Sequence, residues 1–121
     1  MKRTIMSGKI HRATITEANV DYEGSISVDS DLIRSAGMLP YEQVHVVDVN
    51  NGARLVTYLI EAEAGSGKVI MNGAAALLVS QGDKVIIISY AQMKDSEAID
   101  HKPKVVLVDA SNRPVAPAFS H

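Results

Sequence analysis

Apolar and polar residues alternate with a period of two along much of the chain, in short runs separated by Gly, Asn, Asp and Pro. That is the pattern of strands joined by turns. Residues 3–17 read as a first strand, with Ile10, Arg12, Thr14 and Thr16 on one face and His11, Ala13 and Ile15 on the other. The chain turns around Asp21-Tyr22-Glu23-Gly24, and Ser25-Ile26-Ser27-Val28 alternates as a short half-buried strand does. A brief helix follows, capped by Asp29 or Ser30, with Leu32 and Ile33 on its apolar side and Gly37 at its end. Val44 to Val49 reads as a buried strand. Asn50-Asn51-Gly52 is a hairpin signal, since Asn and Gly accept positive φ, and the strand returns over Arg54 to Ile60.

Gly65-Ser66-Gly67 turns into a short strand, Val69-Ile70-Met71, and Asn72 to Leu78 reads as a Gly-containing turn opening one helical segment. Gln81-Gly82-Asp83 leads into the most β-rich stretch, Val85 to Tyr90. Residues 94–101 form a helical turn or loop, and Val105 to Val108 a last strand. Seven or so short strands, two brief helices and no βαβ rhythm predict a mainly-β protein, a small closed barrel of six or seven strands. One domain is expected over residues 1–111. The tail, 112–121, carries Pro114 and Pro117 and little to bury, and is expected to be mobile.

Composition narrows the classes. At 121 residues, with 46% hydrophobic and 21% charged residues, the chain can bury a core. A net charge of −2 with interspersed signs offers no basic stripe for nucleic acid. Cysteine is absent, which removes disulfides and thiolate chemistry. The start lacks the apolar run of a signal peptide, and Val85-Ile86-Ile87-Ile88 is far too short to span a bilayer. A cytoplasmic protein with no membrane partner is expected. Four Tyr and one Phe leave the core to aliphatic residues.

Candidate chemistry is sparse. Ala64-Gly65-Ser66-Gly67-Lys68-Val69 imitates a phosphate-binding loop, but position 62 is Ala where the first Gly belongs and Val follows the Lys. It reads as a solvent turn. His11, His45, His101 and His121 lie on separate segments without ligand spacing, so no metal is expected, and His45 reads as a packed or edge residue. Ser25 is followed by Ile26-Ser27, not by the spacing of a nucleophile elbow. The remaining polar strand residues are Lys9, His11, Tyr22, Ser25, Arg54, Thr57, Tyr58 and Asn72. Taken singly, each reads most simply as structural.

Taken together, five blocks resemble the L-aspartate α-decarboxylase family, the small pyruvoyl-dependent enzymes. They are Ser7-Gly8-Lys9-Ile10-His11-Arg12, Tyr22-Glu23-Gly24-Ser25-Ile26, Asn51-Gly52-x-Arg54-x-x-Thr57-Tyr58, Asn72-Gly73-Ala74-Ala75-Ala76, and Gly82-Asp83-x-Val85-Ile86-Ile87. Order and spacing are kept to about residue 110. The resemblance implies a double-psi β-barrel, a homotetramer with shared active sites, and self-cleavage between Gly24 and Ser25 into pieces 1–24 and 25–121. Ser25 would become a covalent pyruvoyl group that forms a Schiff base with L-aspartate and accepts electrons as CO2 leaves, a role cofactors play elsewhere. β-Alanine for pantothenate would be the product.

By the same resemblance, Lys9 and Arg54 bind the substrate carboxylates, a role for which the planar Arg fork is suited. Thr57 serves the Gly24 carbonyl during cleavage and then the substrate, Tyr58 protonates the carbanion, and the backbone of Gly73, Ala74 and Ala75 contacts substrate. His11, Tyr22 and Asn72 support. On a regular strand Arg54 and Tyr58 share a face that Thr57 does not, so the strand is bulged or twisted there, or the site lies between subunits. Two other readings stay open from the sequence, an uncut anion-binding barrel and a pyruvoyl decarboxylase of another amino acid. Assistance by a maturation partner is also open.

Overall fold

The computed structural model describes residues 1–115. It opens on β1 (Lys2–Thr14) and β2 (Glu17–Asn19), then β3 (Ser25–Asp29) and α1 (Ser30–Ser35). The hairpin β4 (Gln43–Asp48) and β5 (Arg54–Ala62) follows, then β6 (Val69–Asn72) and a 3-10 helix, Gly73–Leu78. β7 (Lys84–Lys94), α2 (Asp95–Asp100), β8 (Lys104–Val108) and β9 (Pro114–Val115) complete the described chain.

Hydrogen-bonded neighbours run β2-β6-β3-β5-β4-β7-β1-β8-β9. β2, at one end of that order, is the direct continuation of β1, near the other. Only Ile15 and Thr16 separate them, and their N–H groups bond Asp83 O and Val69 O at 2.8 Å each. The run 2–19 therefore closes the order into a ring: β1 with β2, then β6, β3, β5, β4 and β7. β8 joins β1 in parallel outside that ring, and β9 pairs with β8. Parallel β2–β6 and β3–β5 pairs sit among antiparallel ones, the mixed pairing that a double-psi barrel requires. Inside the ring Ile10, Ile15, Ile26, Val44, Val46, Leu59, Met71 and Ile87 have no solvent exposure. Each such side chain contributes about 1.5–3 kcal/mol to folding.

Two local features depart from simple alternation. Ile10 and Ala13 are both buried while Arg12 is exposed, so Arg12 does not share a face with Ile10 as strict alternation required. The register against β7 slips between Ile10 and Ala13, and Arg12 takes φ +64. That is a β-bulge, which inserts one residue and resets the faces. At the β4–β5 hairpin only Gly52 adopts positive φ, at +77. Asn50 and Asn51 are held by their own N–H groups on Asp48 Oδ1, at 2.8 and 3.2 Å.

The phosphate-loop imitation is a turn folded around an internal anion. Asp29 caps α1 through Asp31 N–H at 2.8 Å and accepts from Gly65 N–H at 3.1 Å and Gly67 N–H at 2.9 Å. Burial pushes this carboxyl up, but the Gly67, Asp31 and Gly65 amides and the Arg113 guanidinium outweigh it and hold it below its ordinary value of 3.8.

Ordered structure also passes the expected domain end at Ser111. Asn112 is 1% exposed and bonds Thr14 N–H, Thr14 O and Gly67 O at 2.7, 2.9 and 2.8 Å. A polar side chain so fully satisfied is a clamp between the first strand and the 65–67 turn. Of the expected mobile tail, 112–115 are described, with β9 in them, and the remainder, 116–121, lies outside the described residues.

Candidate active site

Ser25 begins β3, where the exposed loop 20–24 enters the wall of the barrel, and only 4% of it is exposed. Its register partner on β6 is Asn72, and on that strand pair Ile26 and Met71 are the residues turned to the core. Ser25, Ser27 and Asn72 therefore share the opposite, outer face. The Asn72 side-chain amide donates to Ser25 Oγ at 3.1 Å and to Ser27 Oγ at 3.0 Å. The Ser25 hydroxyl donates in turn to Glu23 O at 3.3 Å. Asn72 Oδ1 is buried and has no hydrogen-bond partner among the described residues.

The next residue along, Gly73, takes φ +76, which only glycine adopts without strain. A Cβ there would lie 2.6 Å from both Cα and N of Gly24 and 3.0 Å from Tyr22 O. The backbone of 22–24 thus lies directly on Gly73, and the Gly24–Ser25 bond is seated on the start of the 3-10 helix. Ala74 is exposed and Ala75 half-buried in its first turn. The Tyr22 side chain points to solvent at 65% exposure, so this residue meets the cluster through its backbone.

Tyr58 reaches the same place by register. β3 and β5 run parallel with Ile26 opposite Leu59, so one step earlier Ser25 stands beside Tyr58, both on the outer face. Thr57 is the neighbour on the opposite face, paired with buried Val44. The β4–β5 register runs from Gln43–Tyr58 to Val47–Arg54 without a shift. A bulge therefore does not reconcile Thr57 with Arg54 and Tyr58.

The cations lie elsewhere. Arg54 is four residues from Tyr58 along β5, about 13 Å at strand spacing. Its Nη1 is 3.2 Å from His45 Nδ1, and His45 meets the Tyr90 ring edge-on with centroids 4.9 Å apart. His45, read from the sequence as a packed or edge residue, braces Arg54. Lys9 lies on β1, level with Ile88, His45 and Val56 on β7, β4 and β5. Through β7, β4 and β5 it is four strands from β3. His11 follows Lys9 on β1. In one chain, then, Gly24, Ser25, Asn72, Gly73 and Tyr58 come together, while Lys9 and His11 lie on β1 and Arg54 at the start of β5. Sequence reasoning did not single out Ser27; its signal was the i, i+2 spacing from Ser25 on one strand face.

The surroundings of Ser25 suit a carbonyl group formed from it. Asn72 Nδ2 is an N–H donor aimed at an oxygen of residue 25, and Oδ1 is a buried acceptor for a donor brought by substrate.

The chain matches the family described as Aspartate decarboxylase over residues 1–115. It is 59% identical over 113 residues to the Aspartate 1-decarboxylase of Bacillus subtilis (strain 168), covering 93% of this chain and 89% of that one. The Aspartate 1-decarboxylase 2 of Gloeobacter violaceus is 60% identical over 116 residues, 96% of this chain and 93% of that one. That of Leptospira biflexa is 60% identical over 112 residues, 92% and 95% of the two chains. Among solved structures, the rationally designed mkDPBB_sym_86 protein superposes with a TM-score of 0.48 at 22% identity, covering 65% of this chain and 91% of that one.

Proposed function

The chain belongs to the aspartate decarboxylase family, and on that premise we propose that it cuts itself between Gly24 and Ser25 and then converts L-aspartate to β-alanine and CO2 for pantothenate and coenzyme A synthesis. What carries this reading is the Gly24-Ser25 bond seated on Gly73, with the Ser25 hydroxyl fixed by Asn72.

In the cut, Ser25 Oγ attacks the Gly24 carbonyl carbon and its proton passes to the Ser25 nitrogen as the C–N bond breaks, leaving an ester. Water takes the Ser25 Cα proton, the Cβ–Oγ bond breaks, and Oγ departs as part of the Gly24 carboxylate. The resulting dehydroalanine takes up one water and loses ammonia to give the pyruvoyl group on residue 25. Asn72 Nδ2, already on Oγ, stabilises the charge that grows there as the bond breaks. Thr57 is proposed to support the Gly24 carbonyl. No outside cofactor is called for.

The pyruvoyl carbonyls supply the electron sink for the carbanion left by CO2. Arg54 and Lys9 bind the substrate carboxylates, with the Arg54 guanidinium held by His45. Tyr58 gives its proton to the carbanion carbon, and Gly73, Ala74 and Ala75 present backbone to the substrate, with His11 and Tyr22 in support. Since the register of one chain places neither Lys9 on β1 nor Arg54 at the start of β5 beside Ser25, the complete site is proposed to form between protomers of a homotetramer. The described residues contain no helix long and apolar enough to cross a membrane. A cytoplasmic location agrees with a metabolic role of this kind.

Intact-mass spectrometry after warm incubation tests the cut. It should give residues 1–24 and a 25–121 piece with a blocked N-terminus, with CO2 released from aspartate and not from glutamate. A chain that stays whole and inactive refutes the reading. Ser25→Ala should abolish cleavage and activity together, whereas Tyr58→Phe should still cleave and lose about 10²–10⁴-fold in kcat, the usual worth of a general acid.

A further inference from the structure

Resting on that reading of the cut, we propose that Ser27 is a positioning residue for self-cleavage: its hydroxyl fixes the Asn72 carboxamide so that Nδ2, not Oδ1, faces Ser25 Oγ. A carboxamide turns easily about its terminal torsion, and its two ends differ in shape hardly at all. What selects one end is the pattern of donors around it. The Ser25 hydroxyl spends its proton on Glu23 O, so its oxygen offers Asn72 lone pairs only. Nδ2 carries two N–H groups, and Ser27 Oγ receives one at 3.0 Å while Ser25 Oγ receives the other at 3.1 Å.

Two fixed ends of one NH2 group define the plane of the amide. With Ser27 removed, Nδ2 would hold Ser25 through a single bond, and Oδ1 would be free to seek a donor by rotation. A single anchor leaves the plane of the amide undefined, so Nδ2 spends part of its time off Ser25 Oγ. The turned amide would present an acceptor to Oγ, and it would repel the charge that develops as the Cβ–Oγ bond breaks. The Ser27 hydroxyl keeps the donor in place through that step. Its path to Ser25 runs through the Asn72 amide.

Three substitutions separate the hydroxyl from its bulk. Ser27→Val and Ser27→Ala should slow the appearance of the 1–24 and 25–121 pieces by on the order of tenfold, the low end for losing a group that orients a reacting residue's partner. Ser27→Thr, which keeps the hydroxyl with the shape of Val, should cleave at the wild-type rate. Ser27→Val and Ser27→Thr should melt at closely similar temperatures, since both are good strand residues at a half-buried position. Cleavage of Ser27→Val as fast as wild type, or of Ser27→Thr as slow as Ser27→Val, overturns the proposal while the cut itself stands. A wild-type chain that does not cleave overturns both.

Discussion

A methyl group on Gly73 would stand 2.6 Å from two backbone atoms of Gly24 and would have to tolerate φ +76. Gly73→Ala is therefore expected to destabilise the uncut chain by about 1–3 kcal/mol, through strain and through lifting of the 22–24 backbone. It should also slow cleavage, because Ser25 Oγ and the Gly24 carbonyl move apart when their seat is raised. Urea unfolding of the Ser25→Ala form, with and without the second change, measures the first effect; fragment yield measures the other. A Cβ on Gly24 itself would meet nothing within 4 Å apart from its chain neighbours. The crowding in the uncut form is on Gly73. At this scale the sequence was informative only as a constellation: Ser25, Asn72 and Gly73 were legible through family spacing. Ser27 was not, since a serine two residues down a strand has no distinguishing composition. Nor was His45, whose use depends on Arg54 lying across the hairpin.

Asp29 ties three elements together: the end of β3, the start of α1 and the 65–67 turn. Its carboxyl titrates below 3.8 when folded and near 3.8 when unfolded, so its ionised form favours the fold at every pH above 3.8. That contribution disappears as pH falls below 3.8 through the folded value. Asp48 acts with the opposite sign. Burial first, and then the Asp83 carboxyl, push it above 3.8, so the fold weakens as pH rises from 3.8 through its folded value. Asp29→Asn should thus cost about 1–2 kcal/mol at neutral pH and flatten the loss of stability below pH 3.8, read from thermal melts across the acid range. The elements themselves were largely legible, because turn residues and period-two runs mark them. Their ends were not. β7 extends past Tyr90 to Lys94 because β1 pairs with it there, Lys2 opposite Lys94, and a partner 92 residues away leaves no mark on local pattern. The bulge at Arg12 was equally hidden, since it is decided by register with β7.

For the whole molecule, Lys9 and Ser25 stand on strands that are not hydrogen-bonded neighbours, β1 and β3. If each site draws Ser25 from one protomer and Lys9 from another, neither Ser25→Ala nor Lys9→Ala chains alone can work, yet a co-assembled mixture can. Random mixing should restore activity at roughly a quarter of the sites, as two independent halves combine. Production of β-alanine by the mixture above the sum of its parents would establish this; a site completed within one chain gives no such gain. A closed barrel was legible in outline from strand spacing, but the way it closes was not, because one run of chain, 2–19, pairs on both sides of the ring. That run also lies wholly on the short side of the cut. Before the cut, folding is an event within one molecule, independent of dilution. Afterwards residues 1–24 are a separate peptide filling one place in the ring, and the mature protein is, in thermodynamic terms, a complex with a dissociation constant. Its persistence would then depend on concentration and on how slowly that strand escapes. A molecule unfolded after maturation must meet a 1–24 peptide again to refold, so each chain has one chance to assemble as a single polymer.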